Sequence, residues 1–367
     1  MTRLESFLAL SLLPGLGPVR VRKLLKVFNG DPEKILMASE SQLTRADGIG
    51  AEMAKIIRDW ENRIDLAEEQ RRIRDYEIEL LAFESDDYPE ALRRIYDPPF
   101  LLFAKGKLTP RDRNALAVVG PRRTTHYGTE TARKLSFQLA SAGMTIVSGL
   151  ARGIDTAAHE AALAAGGRTI AVLGSGVGNI YPAENEALAE KIVSQGAVLS
   201  ENPVLFVPDK TSFPLRNRIV SGMSKGVLVV EAPARSGALI TANQAMEQGR
   251  TVFAVPGQID RPNSEGCHRL IQAGANLVHC ANDILDELSL LPGLDSAGED
   301  DEMKSRLDDL TDEQATVLEA MSEGGQLLVD DIVSRANLPL SSVNVALLQL
   351  EIKRLIKQLP GKFFSKI

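Results

Sequence analysis

Cysteine is nearly absent: Cys267 and Cys280 are the only two in 367 residues. Two thiols cannot build a disulfide framework or a four-thiolate metal site, and they read as half-buried groups in a reducing compartment. Cys267 adjoins His268, but adjacent side chains diverge and no C-x-x-C or H-E-x-x-H spacing accompanies them, so neither metal nor cofactor is expected. Long apolar runs are lacking too. No stretch approaches the ~18 residues that cross a bilayer, and the opening MTRLESFLALSLLPG has only a short apolar run broken by Pro14, without a small-residue cleavage site. A cytoplasmic protein with no membrane partner is expected. A basic excess is also missing: 42 Lys+Arg face 49 Asp+Glu, a net charge of −7, which on average argues against a nucleic-acid partner.

The average hides the distribution. Residues 111–280 carry 17 Lys+Arg against 13 Asp+Glu, whereas residues 283–313 carry 12 acids against Lys304 and Arg306. With 44% apolar and 25% charged residues, the chain has the composition of a folded protein, and its length predicts two or three domains. Residues 1–72 read as a helix-hairpin-helix or SAM-like bundle. There Gly15 and Gly17, then Gly48 and Gly50, precede helical patterns, and the hairpin amides either approach phosphate or serve a docking bundle. After a linking region containing DDYPEALRRIYDPPF, the runs ALAVVG, TIVSG, RTIAVLG, AVLSE, GVLVVEA and TVFAVPG alternate with helical stretches. This predicts an α/β domain over 80–290, an extended Rossmann-like doubly wound sheet with its functional surface beyond the strand C-termini. The stretch 291–306 reads as an acidic linker, and 307–367 as a winged helix of three helices and a hairpin, with Val345, Leu348 and Leu350 on the last helix.

The strand ends carry the chemistry. After ALAVVG come Arg122 and Arg123, a cationic fork beside helix N-terminal amides that accepts phosphate, or else a solvated turn making an ion pair. In SGLARGIDTAAHE, Gly149 and Gly153 permit close approach of backbone to ligand, and Ser148 offers a hydroxyl. Arg152 offers N–H donors there, and Asp155 and Thr156 can cap the next helix. His159 reads as a core histidine. In LGSGVGNIYP, Gly174, Gly176 and Gly178 make a roomy turn leading to Tyr181 and Pro182, without the Lys-Ser or Lys-Thr ending of a P-loop. The segment VPDKTSFPLRNRIVSGMS and the residue after it gather Lys210, Arg216, Arg218 and Lys225 around Phe213, opposed only by Asp209. Cations for phosphates and an aromatic plate for a base are what a single strand needs; the other reading is a solvated basic helix with Phe213 in the core. Arg235, Ser236 and Gly237 continue the theme before a small-residue helix.

Taken together, VVGPRR, SGLARGIDTAAHEAAL, LGSGVGNIYPAENEALAE, LSENP, SFPLRNRIVSGMS, VVEAPARSGALITANQAMEQGR and VFAVPG resemble the bacterial DNA-processing protein A family, also called the Smf family. The resemblance implies a non-enzymatic cytoplasmic protein of natural transformation. It would bind and protect incoming single-stranded DNA, help displace single-strand-coating protein, load a RecA-type recombinase and form a homodimer. It maps the DNA pocket onto Arg122 or its neighbour Arg123, and onto Lys210 and Phe213. Ser148, Gly149, Arg152, Asn217 and Arg218 follow as further pocket or pocket-shaping positions. Two departures stand out. Pro121 occupies the middle of GPR, removing a backbone donor, and GCHRLI replaces a GTNxLI-like stretch. The alternative is a nucleotide-binding hydrolase of the phosphoribohydrolase-like superfamily. Against it, APARSGALITANQAMEQG keeps the small residues of that pattern but lacks a Glu close behind the loop.

Overall fold

The computed structural model describes residues 1–289, 310–321, 327–352, 356–359 and 363–366. Residues 1–290 form one compact unit and residues 291–367 a second. The first unit is built on a nine-stranded sheet: β1 (Glu79–Ala82), β2 (Leu101–Gly106), β3 (Ala115–Val119), β4 (Thr145–Ser148), β5 (Thr169–Leu173), β6 (Ala197–Ser200), β7 (Gly226–Val229), β8 (Thr251–Ala254) and β9 (Asn276–Leu277). The six runs expected from sequence are β3 to β8. All residues of β3 to β7 are buried, because helices cover both faces of a parallel sheet and leave no polar side.

The strand order β1-β2-β6-β5-β4-β3-β7-β8-β9 makes the fold doubly wound. From β3 the chain builds outward through β4, β5 and β6, then returns to place β7 against the other side of β3. Between β3 and β7 lies the switch point where doubly wound sheets open a crevice beyond their strand C-termini. The expected linking region instead supplies β1 and β2, which pair antiparallel with each other, and β2 pairs antiparallel with β6. Its Asp, Pro and Arg residues mask a buried apolar run from Phe100 to Ala104.

Alternate strand residues feed two cores. Leu101, Phe103 and Leu173 belong to one and Leu102, Ala104 and Val172 to the other. The first also holds Phe7, Leu8, Leu24 and Ile57, so the helical bundle drawn at 1–72 and the sheet domain share a core. Buried Glu69 adds a polar tie, accepting the Val204 N–H at 2.7 Å.

In the second unit, helices Asp312–Ala320, Val329–Ala336 and Leu340–Ile352 pack with β10 (Leu327–Leu328), β11 (Ile356–Leu359) and β12 (Phe363–Lys366). The sheet order β10-β12-β11 gives a winged helix with one strand more than the expected hairpin. Val343, Leu347 and Leu350 fill its core, whereas Val345, singled out on this helix from sequence, is 53% exposed. The acidic stretch 291–306 lies outside the described residues. Among the described residues no helix is long and apolar enough to cross a membrane.

Candidate nucleic-acid interface

The strand-end loops are packed against one another before any ligand arrives. A Cβ at Gly153, where φ is +82°, would lie 2.4 Å from Pro121 O, and one at Gly149 would lie 2.3 Å from Arg216 Nη2. These glycines therefore admit neighbouring protein groups rather than a ligand. Ser148 is likewise committed: it is buried and its hydroxyl donates to Val118 O at 2.6 Å. Asp155 does not cap the following helix as expected. Its carboxylate reaches back to accept the Gly149 and Ala151 N–H groups at 3.1 and 3.3 Å, and Gly153 is the N-cap residue. Burial raises the Asp155 carboxyl above its ordinary pKa against the pull of Arg216.

The glycine turn after β5 is also filled. Gly176 N–H donates to Phe206 O and Gly178 N–H to Val204 O, and a Cβ at Gly176 would lie 2.1 Å from Pro203 O. Those two amides tie the turn to the loop after β6 and are not free for a phosphate, whereas Gly174 lines a small cavity beside Phe213. His159 is a core residue: its Nδ1 lies 2.6 Å from Thr169 Oγ1, and burial pushes its pKa down to about 3.

Helix Ser212–Gly222 sorts the basic cluster by its period. Asp209 sets up its entry, accepting the Thr211 and Ser212 N–H groups at 2.8 Å each, and these bonds with the Thr211 hydroxyl hold its carboxyl down at about 2. Lys210 is exposed on this turn. Phe213, half-buried, has the Arg122 guanidinium 4.9 Å from its ring centre and the Tyr181 ring 5.7 Å away at 42°. Arg216 points inward, its Nη1 donating to Gly149 O at 2.7 Å and to Val172 O, and burial lowers its pKa to about 10. Arg218, two residues on, departs from the expected phosphate contact. It is buried, its Nη2 lies 2.6 and 2.7 Å from the Glu201 oxygens and its Nε lies 3.0 Å from Asp97. Its Nη1 has no hydrogen-bond partner among the described residues, but the guanidinium is buried and its charge is met by two carboxylates, so it is not presented to a phosphate. Arg152 is engaged as well, bidentate to Glu184 at 2.7 Å on the surface.

The remaining groups surround a cleft of about 430 Å³ at the β3/β7 switch point. Arg122, Arg123 and Phe213 line it with Asn217, Arg235 and Gly237. The side walls are fixed by Glu231, a buried carboxylate that accepts the Thr125 N–H and the Thr124 hydroxyl at 3.0 Å each. Glu231 thereby joins the loop after β7 to the one after β3. Arg122, Arg123, Lys210 and Arg235 are all exposed, with no ion-pair partner among the described residues. Arg216, Tyr181 and Arg235 extend the set chosen from sequence; RNR and ARSG contained two of these cations, but only the topology aims them.

The described residues hold one group with metal-ligand chemistry, His279, Cys280 and Asp283, whose ligand atoms lie within 4.8 Å of one another. Asp283 is already occupied by the His279 and Cys280 N–H groups, and the trio lines neither strand-end cavity. Cys267 and His268 diverge: the buried thiol donates to Val229 O and the ring turns to Gly257 O.

Comparison with known proteins decides the family. The sequence profile of DNA recombination-mediator protein A matches residues 79–289, more than half the chain. The chain belongs to that family. Profiles of the DprA winged helix domain and of a SAM-like helix-hairpin-helix tandem match residues 302–362 and 7–59. Protein Smf of Synechocystis sp. is 36% identical over 395 residues, covering 98% of each chain. The X-ray structure of DNA processing protein A from Streptococcus pneumoniae superposes with a TM-score of 0.70 at 40% identity, covering 78% of this chain and 98% of that one. The Helicobacter pylori member, described for its single-stranded DNA binding mode, gives 0.53 at 30% identity and covers 58% and 96%. A mediator of recombination needs a binding cleft rather than a reacting centre, and membership in this family disfavours the hydrolase reading.

Proposed function

We propose that the cleft at the β3/β7 switch point binds single-stranded DNA, with Arg122, Arg123, Lys210 and Arg235 taking phosphates and Phe213 a base. The observation that carries this is the grouping of Arg122, Arg123 and Arg235, without ion-pair partners among the described residues, with the half-buried Phe213 ring in the lining of a 430 Å³ cleft. The chain acts as a recombination mediator: it collects single strands by counterion release and contributes no bond chemistry. Ser148, Gly149 and Arg216 shape the pocket from beneath, and Asn217 lines its wall.

Binding of matched single- and double-stranded oligonucleotides, followed across salt concentrations, tests the reading. The single strand is expected to bind more tightly. Lys210→Ala and Arg122→Ala are each expected to weaken binding across unrelated sequences and to flatten the log–log salt slope by about 0.7. Unchanged slopes in folded variants would place these cations outside the DNA path.

The family role extends the proposal to partners. Displacement of single-strand-coating protein and handover to a RecA-type recombinase would be a binding relay in natural transformation, tested by recombinase loading onto precoated DNA. A homodimer is supported by Ile240 and Met246, apolar and 40% and 46% exposed on helix Gly237–Glu247. Sedimentation is expected to give twice the chain mass of 39.8 kDa. A monomer at about 10 µM, far above the Kd of a stable dimer, would remove that part.

A further inference from the structure

Tyr181 is a large aromatic that the core does not use. Its ring is 45% exposed, yet its loop is pinned at both ends. The Asn179 side chain donates to Phe206 O at 3.1 Å, and the Asn185 side chain donates to Leu150 O at 2.8 Å and to Thr156 Oγ1 at 2.9 Å. The loop thus holds the ring out beside Phe213, at the mouth of a second, smaller cavity lined also by Arg122 and Arg152.

The spacing of the two rings limits what they can do. Bases stack about 3.4 Å apart, so a base sandwiched between two rings needs them about 7 Å apart and parallel. At 5.7 Å and 42° the pair admits no base between them. Each ring can instead offer a face of its own, and aromatic side chains placed in succession along a cationic groove take successive bases.

We infer that Tyr181 is a second base-stacking residue, receiving the nucleotide adjacent to the one stacked on Phe213. The inference rests on the single-strand reading above and deepens it: the site takes two consecutive bases rather than one.

The test uses the full chain and the shortest oligonucleotide bound at full affinity, so that sliding cannot compensate for a lost base. Tyr181→Ala is expected to weaken binding about 5- to 30-fold with an unchanged melting temperature, and Tyr181→Phe to bind nearly as wild type. With a single abasic site walked along the strand, wild type is expected to lose affinity at two adjacent positions. Tyr181→Ala is expected to become insensitive at one of them and Phe213→Ala at the other. If Tyr181→Ala binds normally while Phe213→Ala is impaired, the second subsite is overturned and the function stands. If both bind normally, base stacking itself fails. A Tyr181→Ala defect undiminished at every abasic position would make the ring a structural prop and overturn the inference.

Discussion

Arg216→Ala is expected to lower the stability of the chain by about 2–5 kcal/mol, the cost of taking a buried donor from two carbonyls and leaving a cavity in its place. Three losses coincide at one place. The Gly149 and Val172 carbonyls lose their shared donor, the space between two strand ends empties, and Asp155 keeps its burial without its counter-charge. Urea denaturation reads the effect as a lower midpoint at an unchanged slope. The pH dependence supplies a sharper check. Burial already raises the Asp155 carboxyl, and without Arg216 it rises further. A carboxyl with its folded pKa above the unfolded value of about 3.9 binds its proton more tightly in the folded state, so stability falls as pH rises through that window. The penalty in Arg216→Ala is therefore expected to be smallest near pH 4 and largest at neutral pH. Arg216→Lys keeps the charge but not the fork that reaches two carbonyls, and is expected to fall in between. A penalty below about 1 kcal/mol, or one flat in pH, would show that Arg216 is not the central tie of these loops.

Arg216 and Arg218 also show where the sequence stopped being legible. Two residues apart on a helix, they project about 200° from each other, so they cannot both face the cleft. The motif RNR does not say which does. The answer depends on Asp97 and Glu201, distant in sequence, drawing Arg218 beneath the helix. The glycines failed for a related reason. A glycine marks close approach, but whether the visitor is a ligand or another loop is a tertiary fact: Pro121 O at Gly153, Pro203 O at Gly176. What did read out was the parallel sheet, because strands covered on both faces are apolar nearly throughout, as β3 is at every position and β5 at all but Thr169. β1 escaped because four edge residues with one buried side chain carry too little pattern. Arg122, Lys210 and Phe213 were legible as a candidate set from the family motifs and from cations gathered near one aromatic in the segments after β3 and β6.

Phe213→Ala is expected to weaken single-strand binding by about 5- to 150-fold, the range that corresponds to ~1–3 kcal/mol for a base stacked on an aromatic ring. The structure sets a condition on that gain. The Arg122 guanidinium already lies over the ring at 4.9 Å, so a base stacking on that face must displace a cation–π contact worth about 0.5–1 kcal/mol at an exposed site. Displacement releases Arg122 to a phosphate, which returns the loss as a charge-assisted contact. The two residues should therefore be coupled: Arg122→Ala uncovers the ring while deleting a phosphate ligand, and the double variant should lose less than the sum of the single losses. Phe213→Tyr keeps the ring and is expected to bind nearly as wild type. The competing role is packing, since the ring touches Gly174 and Tyr181. A fully buried Phe truncated to Ala costs about 3–5 kcal/mol of stability, and this half-buried ring should cost less. Melting temperature measured beside affinity separates the two roles. So does an abasic site at the stacked position, where wild type and Phe213→Ala should converge. Normal binding by a folded Phe213→Ala, or a defect that persists when the base is missing, would show that the ring shapes the loop and does not read the strand.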